Sequence, residues 1–360
     1  MPRARPFAIT TSITVEEIGQ VWRRDYIAQP LVDLPNFLKP RLASLLRSLL
    51  LDAASWANHS APPPLMYVWA MVVAGGVRPD AIKQRLALAE AGDIRALFEQ
   101  QAGKADSRRS PPPRPDPKAA ARTMFARGDI KKGMSALLRQ GASPRLSPDE
   151  VAAKFPDAPP GHRLRAPLLW DRTSARHLMR GLTDGLAQDG TPLRWTQIVL
   201  RRVLAPSHSS AAGPDGLRPT HIRQLMAVKG HGTEILKLFA LLVELCLAGT
   251  SHAAVRDVSL SIVPKGESWR PIGVGTLIRR VAMSIAAQTA KKEVAAELEQ
   301  RGQLGLAEAG PQRVYLRAQA CLEEGLTLVK LDVANAFNSI HRETVLAAAK
   351  DIGDRLHANE

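Results

Sequence analysis

The 360-residue chain has only two cysteines, Cys246 and Cys321, far apart, so it encodes neither a disulfide framework nor a Cys-x-x-Cys metal clip. That usage fits a reducing, intracellular compartment. Its nine histidines are scattered without ligand spacing, which argues against a structural zinc site. Long hydrophobic runs are missing too. The longest, ILKLFALLVELCLAG from Ile235, is interrupted by Lys237 and Glu244 and is too short to span a bilayer; it reads as a buried helix, and no membrane partner is expected. At the N-terminus, MPRARPFAITTSITVEEIG has basic residues but no apolar core segment, and Glu16 and Glu17 follow, so no signal peptide is read. No internal repeat of useful length is visible.

Acidic residues are the other shortage. Against 49 Lys and Arg stand 34 Asp and Glu, a formal net charge of +15 and a pI near 10.3. Residues 1–150 hold 22 basic and 14 acidic groups, residues 151–360 hold 27 and 20, so each part carries a similar excess. A basic tail would have concentrated it at one end. The charge therefore suits a long surface or channel facing an anionic partner, nucleic acid before membrane, although an arginine-rich composition serves solubility as well. A hydrophobic content of 45% is ordinary for a chain with a sizeable core, and the length allows two or three domains.

Residues 1–103 read as a helical region, with apolar spacing in LKPRLASLLRSLLLDAASWA and DAIKQRLALAEAGDIRALFEQQ, Asp80 and Asp93 at capping positions, and SAPPPL and GGVRP as punctuation. Residues 104–122, KADSRRSPPPRPDPKAAAR, read as a basic proline-rich linker that packs neither as helix nor as central strand. Residues 123–204 form a helical connecting region, broken at FPDAPPGHRLRAP and resuming near Thr173. From residue 205 onward, Gly-Pro turns, short β-branched runs and long helices alternate. The fold class expected is α+β.

Three stretches in residues 205–360 carry the chemistry. SSAAGPDGLRPTHIRQL places Pro214 and Asp215 in a tight turn, lets Gly213 and Gly216 approach other backbone closely, and opens a helix with Arg218 and His221. VSLSIVPKGESWRPIGVGTLIRRVAMSIAAQ reads as strand, turn, returning strand and then a helix capped by Thr276 and running to about Gln300. Lys265 and Arg270 then sit on one hairpin, where a point charge and a planar fork could converge on a polyphosphate, or simply be solvated. LTLVKLDVANAFNSIHR reads as a strand delivering Asp332 at its carboxyl end, with Phe337 five residues on and Asn338-Ser339 capping the helix IHRETVLAAAK.

The order of these stretches, with QLGL at Gln303 between the second and third, resembles the fingers and first palm segments of reverse transcriptases, the non-LTR retrotransposon kind especially. The resemblance covers roughly residues 205–349 and is strongest at RPIGV and LDVANAFNS. It implies an incomplete right-hand polymerase fingers and palm domain over 205–360. It implies that Asp332 ligates catalytic Mg2+ with the backbone carbonyl of Val333, where hard oxygen ligands suit a two-metal transfer of dNMP from dNTP to a primer 3′-hydroxyl. It also implies that Phe337 is a steric gate against a ribose 2′-hydroxyl, that Arg270, with Lys265 beside it, grips the triphosphate, and that Gly213, Pro214, Asp215 and Gly216 form a mainly architectural turn on the template side. The partners implied are an RNA template, a DNA primer and dNTP, and the location implied is the nucleus.

One departure from the family pattern stands out. Two magnesium ions need a further pair of adjacent aspartates, and after Asp332 only Asp351 and Asp354 occur, unpaired within AAKDIGDRLHANE. The chain is therefore expected to be a fragment, inactive as a polymerase by itself. The alternative is a non-catalytic nucleic-acid-binding remnant of a retroelement, which accounts for the charge equally well.

Overall fold

The computed structural model describes residues 31, 33–55, 64–74, 79–102, 117–126, 134, 150, 153, 195–204, 211–265, 268–331 and 340–358. These residues are mostly helical and carry one small two-stranded sheet, a loose α+β arrangement. The chain forms two compact units: residues 1–145, 203–242 and 251–279 make the first, and residues 146–202, 243–250 and 280–360 the second.

Five helices come from the N-terminal part: α1 (Lys39–Ser55), α2 (Val68–Val72), α3 (Pro79–Glu90), α4 (Ile94–Ala102) and α5 (Pro117–Ala126). In α1, Leu42, Leu45, Leu46, Leu49 and Leu50 recur at the three- and four-residue spacing of one helix face, and all are buried. Ile82, Arg85, Leu86 and Ala89 repeat the pattern in α3. Helix α2 is apolar all round and wholly buried, as a five-residue turn can be only inside a layer of other helices. The buried Arg85 guanidinium donates to the Met71 carbonyl near the end of α2 at 3.4 Å and to the Ala74 carbonyl just beyond it at 3.0 Å. Asp93 accepts from the Ala96 N–H at 3.0 Å and so caps α4, as its position suggests; Asp80 lies inside the first turn of α3.

The expected linker needs correction at its end. Residues 117–122 are helical, because Pro117 occupies the start of α5, where a missing N–H costs nothing and a fixed φ favours the helix. The rest of the linker, and the expected helix near Thr173, lie outside the described residues.

The remaining elements of the first unit are α6 (Trp195–Leu204) in its last two residues, α7 (Pro219–Met226), the start of α8 (Gly232–Leu247), the hairpin β1 (Val258–Lys265) and β2 (Ser268–Gly275), and the first turn of α9 (Leu277–Gln300). Helix α7 packs on α1, and Arg47 of α1 meets Glu234 of α8 at 2.8 Å. That exposed pair contributes at most about 1 kcal/mol. Helix α8 is the buried helix expected from Ile235, with Phe239 and Val243 fully covered. No helix among the described residues is long and apolar enough to cross a membrane.

The second unit contains the remainder of α9, α10 (Gly310–Glu323) and α11 (Arg342–Ala358). Between α9 and α10 the chain folds back on itself: the Gln303 N–H bonds the Leu298 carbonyl at 2.9 Å, and Leu304 is buried. The strand expected before Asp332 is a second correction. Residues 326–331 form no strand, and Leu326, Leu328, Val329 and Leu331 are exposed, Leu331 at 86%. A strand is stable only when its backbone groups pair with a neighbour, and the described residues hold no strand beside it.

Candidate functional site

The site begins with a four-residue turn. Gly213 to Gly216 close through a Gly216 N–H to Gly213 carbonyl bond of 3.0 Å, with Pro214 and Asp215 at the centre. Both glycines have a steric reason. A Cβ on Gly213 would lie 2.6 Å from the Gly275 carbonyl carbon and 2.8 Å from the Thr276 nitrogen, closer still to the Gly275 oxygen. Gly216 has φ +66° and sits where a Cβ would be 2.6 Å from the Ala70 Cα. The turn is thus wedged between the end of β2 on one side and α2 on the other.

Asp215 joins the parts. Its carboxylate is fully buried and accepts the Leu217 N–H at 3.3 Å through one oxygen and the Leu277 N–H at 2.9 Å through the other. Leu277 opens α9, so a carboxylate meets the positive end of a helix dipole, in addition to hydrogen bonds that for a charged acceptor contribute about 1.5–3 kcal/mol each. Thr276, also buried, accepts from the Arg279 N–H at 3.2 Å and donates to the Val255 carbonyl. Thr276 is the cap that the sequence suggests. Together, Asp215 and Thr276 fix the point at which β2 leaves the hairpin and α9 begins.

The hairpin projects from that clamp. Val258 pairs with Gly275, Leu260 with Gly273, Val263 with Arg270 and Lys265 with Ser268. Side chains alternate across a strand while directly paired residues share a face, so the register puts positions 259, 261, 263, 265, 268, 270, 272 and 274 on one side. By register, positions 265 and 270 therefore fall on the same face of the ladder. Arg270 is exposed. Leu260 and Ile272 are half exposed, which leaves both faces of the ribbon open to a partner.

Behind the turn, α7 is held by a contact that local spacing did not show. His221 is fully buried, and burial lowers its pKa to about 4. Its Nδ1 accepts from the Trp69 indole N–H and from the Arg218 backbone N–H, each at 3.3 Å, and its Nε2 faces the Leu31 carbonyl at 2.6 Å. Trp69 lies 152 positions away in sequence. The only local hint was the charge-poor, aromatic-bearing run around Trp69, whose complete burial requires a partner for its indole N–H.

Asp332, Val333 and Phe337 lie outside the described residues. Among the described residues no group of three or more His, Cys, Asp or Glu could hold a metal ion. Of the two later aspartates, Asp351 pairs with Arg355 and lies 3.8 Å from Arg301, and both are exposed on α11. A complete two-metal ligand set is thus not supplied by the described residues. No protein-family model matches the chain, and no curated protein or solved structure gives a significant match.

Proposed function

We propose that the chain is the fingers and first palm portion of an RNA-directed DNA polymerase of the non-LTR retrotransposon kind. The observation that carries the reading is the hairpin: its register places positions 265 and 270 on one face of a ribbon whose base is clamped by a buried carboxylate. A rigid base with two cations on its open face suits capture of a triphosphate, because a planar guanidinium can bridge two phosphate oxygens while an ammonium adds point charge. The order of the four sequence motifs adds the rest. Arg270 and Lys265 grip the dNTP triphosphate, Phe337 excludes the 2′-hydroxyl, and Asp332 with the Val333 carbonyl contributes to a Mg2+ site completed by carboxylates other than those of α11. RNA template and DNA primer account for the basic excess.

The purified chain with Mg2+, labelled dNTP and a primed RNA template is expected to give no incorporation, since one catalytic carboxylate cannot hold two ions. Synthesis that disappears in Asp332→Asn would overturn that expectation while supporting the family. In a polymerase completed by the paired aspartates, Phe337→Ala is expected to raise ribonucleotide use about tenfold or more, the worth of a lost steric clash of about 1.4 kcal/mol. Unchanged sugar selectivity in single-nucleotide insertion assays would remove Phe337 from the gate. The competing reading, a nucleic-acid-binding remnant, predicts strong salt-dependent RNA binding with no preference between dNTP and inorganic phosphate at the hairpin.

A further inference from the structure

We propose that His221 is an acid-operated latch: its neutral imidazole holds Trp69 and the Leu31 backbone against α7, and protonation releases them. The inference stands on the first unit alone and does not rest on the polymerase reading. Three stretches of chain meet at this one ring, through Trp69, Arg218 and Leu31. Both neighbours of Nδ1 are donors and the neighbour of Nε2 is an acceptor. Only the tautomer with its proton on Nε2 satisfies all three. A second proton, on Nδ1, would point at two N–H groups, lose both bonds and leave a cation in a fully buried site.

The segment it holds is fastened from one further side chain. The Leu34 N–H donates to the Gln224 Oε1 at 2.9 Å, and the Gln224 amide donates to Asp33 at 3.0 Å. Gln224 does not titrate, so among these contacts the acid response belongs to His221. Two charges act on the ring: Arg218, at the start of its own helix, opposes protonation, and Asp33, on the segment across from it, favours it. Helix α2 contributes the indole, at 5.7 Å and 65° to the imidazole, and no charged residue. Desolvation outweighs the Leu31 bond, which also favours the protonated ring, as well as both charges, and sets the closed-state pKa at about 4, against 6.5 for an open histidine. The open form therefore binds more protons between these values. The latch is closed at full strength above pH 6.5 and weakens tenfold per pH unit down to about pH 4, roughly 300-fold in all.

The test is amide and indole hydrogen exchange by NMR on the full chain between pH 7 and 4, corrected for intrinsic rates. The Trp69 indole N–H and the Leu34 amide are expected to lose protection roughly 300-fold, and at each pH to exchange faster than the Leu46 amide in the core of α1, whose exchange needs a larger opening. In His221→Gln, which keeps a polar amide and cannot titrate, the pH step is expected to vanish. A wild-type chain with no step, Trp69 and Leu34 protons that exchange no faster than Leu46 at every pH, or an undiminished step in His221→Gln would each overturn the latch. Should the variant not fold, direct 15N titration of the wild-type imidazole decides: a midpoint near 4 supports the proposal, and one above 6 sinks it.

Discussion

Gly213→Ala is expected to destabilise the first unit by about 3 kcal/mol or more, the upper end of what added atoms cost in a packed interior. The added methyl meets backbone on every side: the Gly275 carbonyl and the Thr276 nitrogen, none of them the movable end of a side chain. Relief requires the turn and the base of the hairpin to separate, which would pull Asp215 from the Leu277 N–H and leave a buried carboxylate short of a donor. Gly273→Ala is the matched control within the hairpin. Its Cβ would meet only Val258 and Leu260 side-chain carbons, the nearest at 3.6 Å, ordinary van der Waals contact, so stability should hold or rise by a few tenths of a kcal/mol up to about 1. Urea unfolding followed by circular dichroism separates the two cases. A Gly213→Ala chain as stable as Gly273→Ala would mean that the turn does not bear on the hairpin.

Trp69→Ala is expected to cost about 4 kcal/mol. The indole is fully buried in a helix with no exposed residue, so truncation leaves a large cavity and removes a donor to His221. Trp69→Phe keeps most of the ring volume and loses the N–H, and should cost about 1–2 kcal/mol. The gap between these variants measures packing apart from hydrogen bonding. Loss of less than about 1 kcal/mol for the alanine variant, read from the same urea transitions, would show that α2 is not part of the first unit's core.

The two variants touch the same assembly from opposite sides. Gly213 backs onto the hairpin and Trp69 onto the helix that follows the turn, with Gly216 packed on Ala70 between them. The N-terminal helices and the arginine-bearing ribbon are thereby parts of one compact unit, although more than 130 residues of sequence separate Ala70 from Gly216. That is why an N-terminal substitution is expected to be felt at the ribbon's base.

Sequence made some of this legible and hid the rest for physical reasons. The hairpin, the Thr276 cap and the helix to Gln300 were readable because each depends on neighbours within a few positions: alternation, a hydroxyl beside a helix start, and a 3.6-residue period. The Gly-Pro-Asp-Gly turn was readable as a turn for the same reason. Its deeper role was not, because the partner of Asp215 is the Leu277 N–H, 62 positions on. Nor does any local pattern pair His221 with Trp69. The stretch before Asp332 shows the opposite case, since an apolar, β-branched composition states only that a strand is affordable, while pairing decides whether one forms. For the functional residues, the strand–turn–strand order was readable from alternation, whereas the register that puts positions 265 and 270 on one face depends on where the turn falls; Asp332 and Phe337 lie outside the described residues.

The central claim is that the face bearing Lys265 and Arg270 grips the triphosphate of a deoxynucleotide. Photolabelling of the full chain with a dTTP analogue carrying an aryl azide on its γ-phosphate, with primed RNA template and Mg2+ present, tests it most directly. The label is expected on residues 258–275, competed by dTTP and by inorganic tripolyphosphate, and reduced at least about tenfold by Arg270→Ala, as loss of a charge-assisted contact of about 1.5–3 kcal/mol requires. Label placed elsewhere, or label on the hairpin that survives the combined Lys265→Ala and Arg270→Ala substitution, would contradict the account.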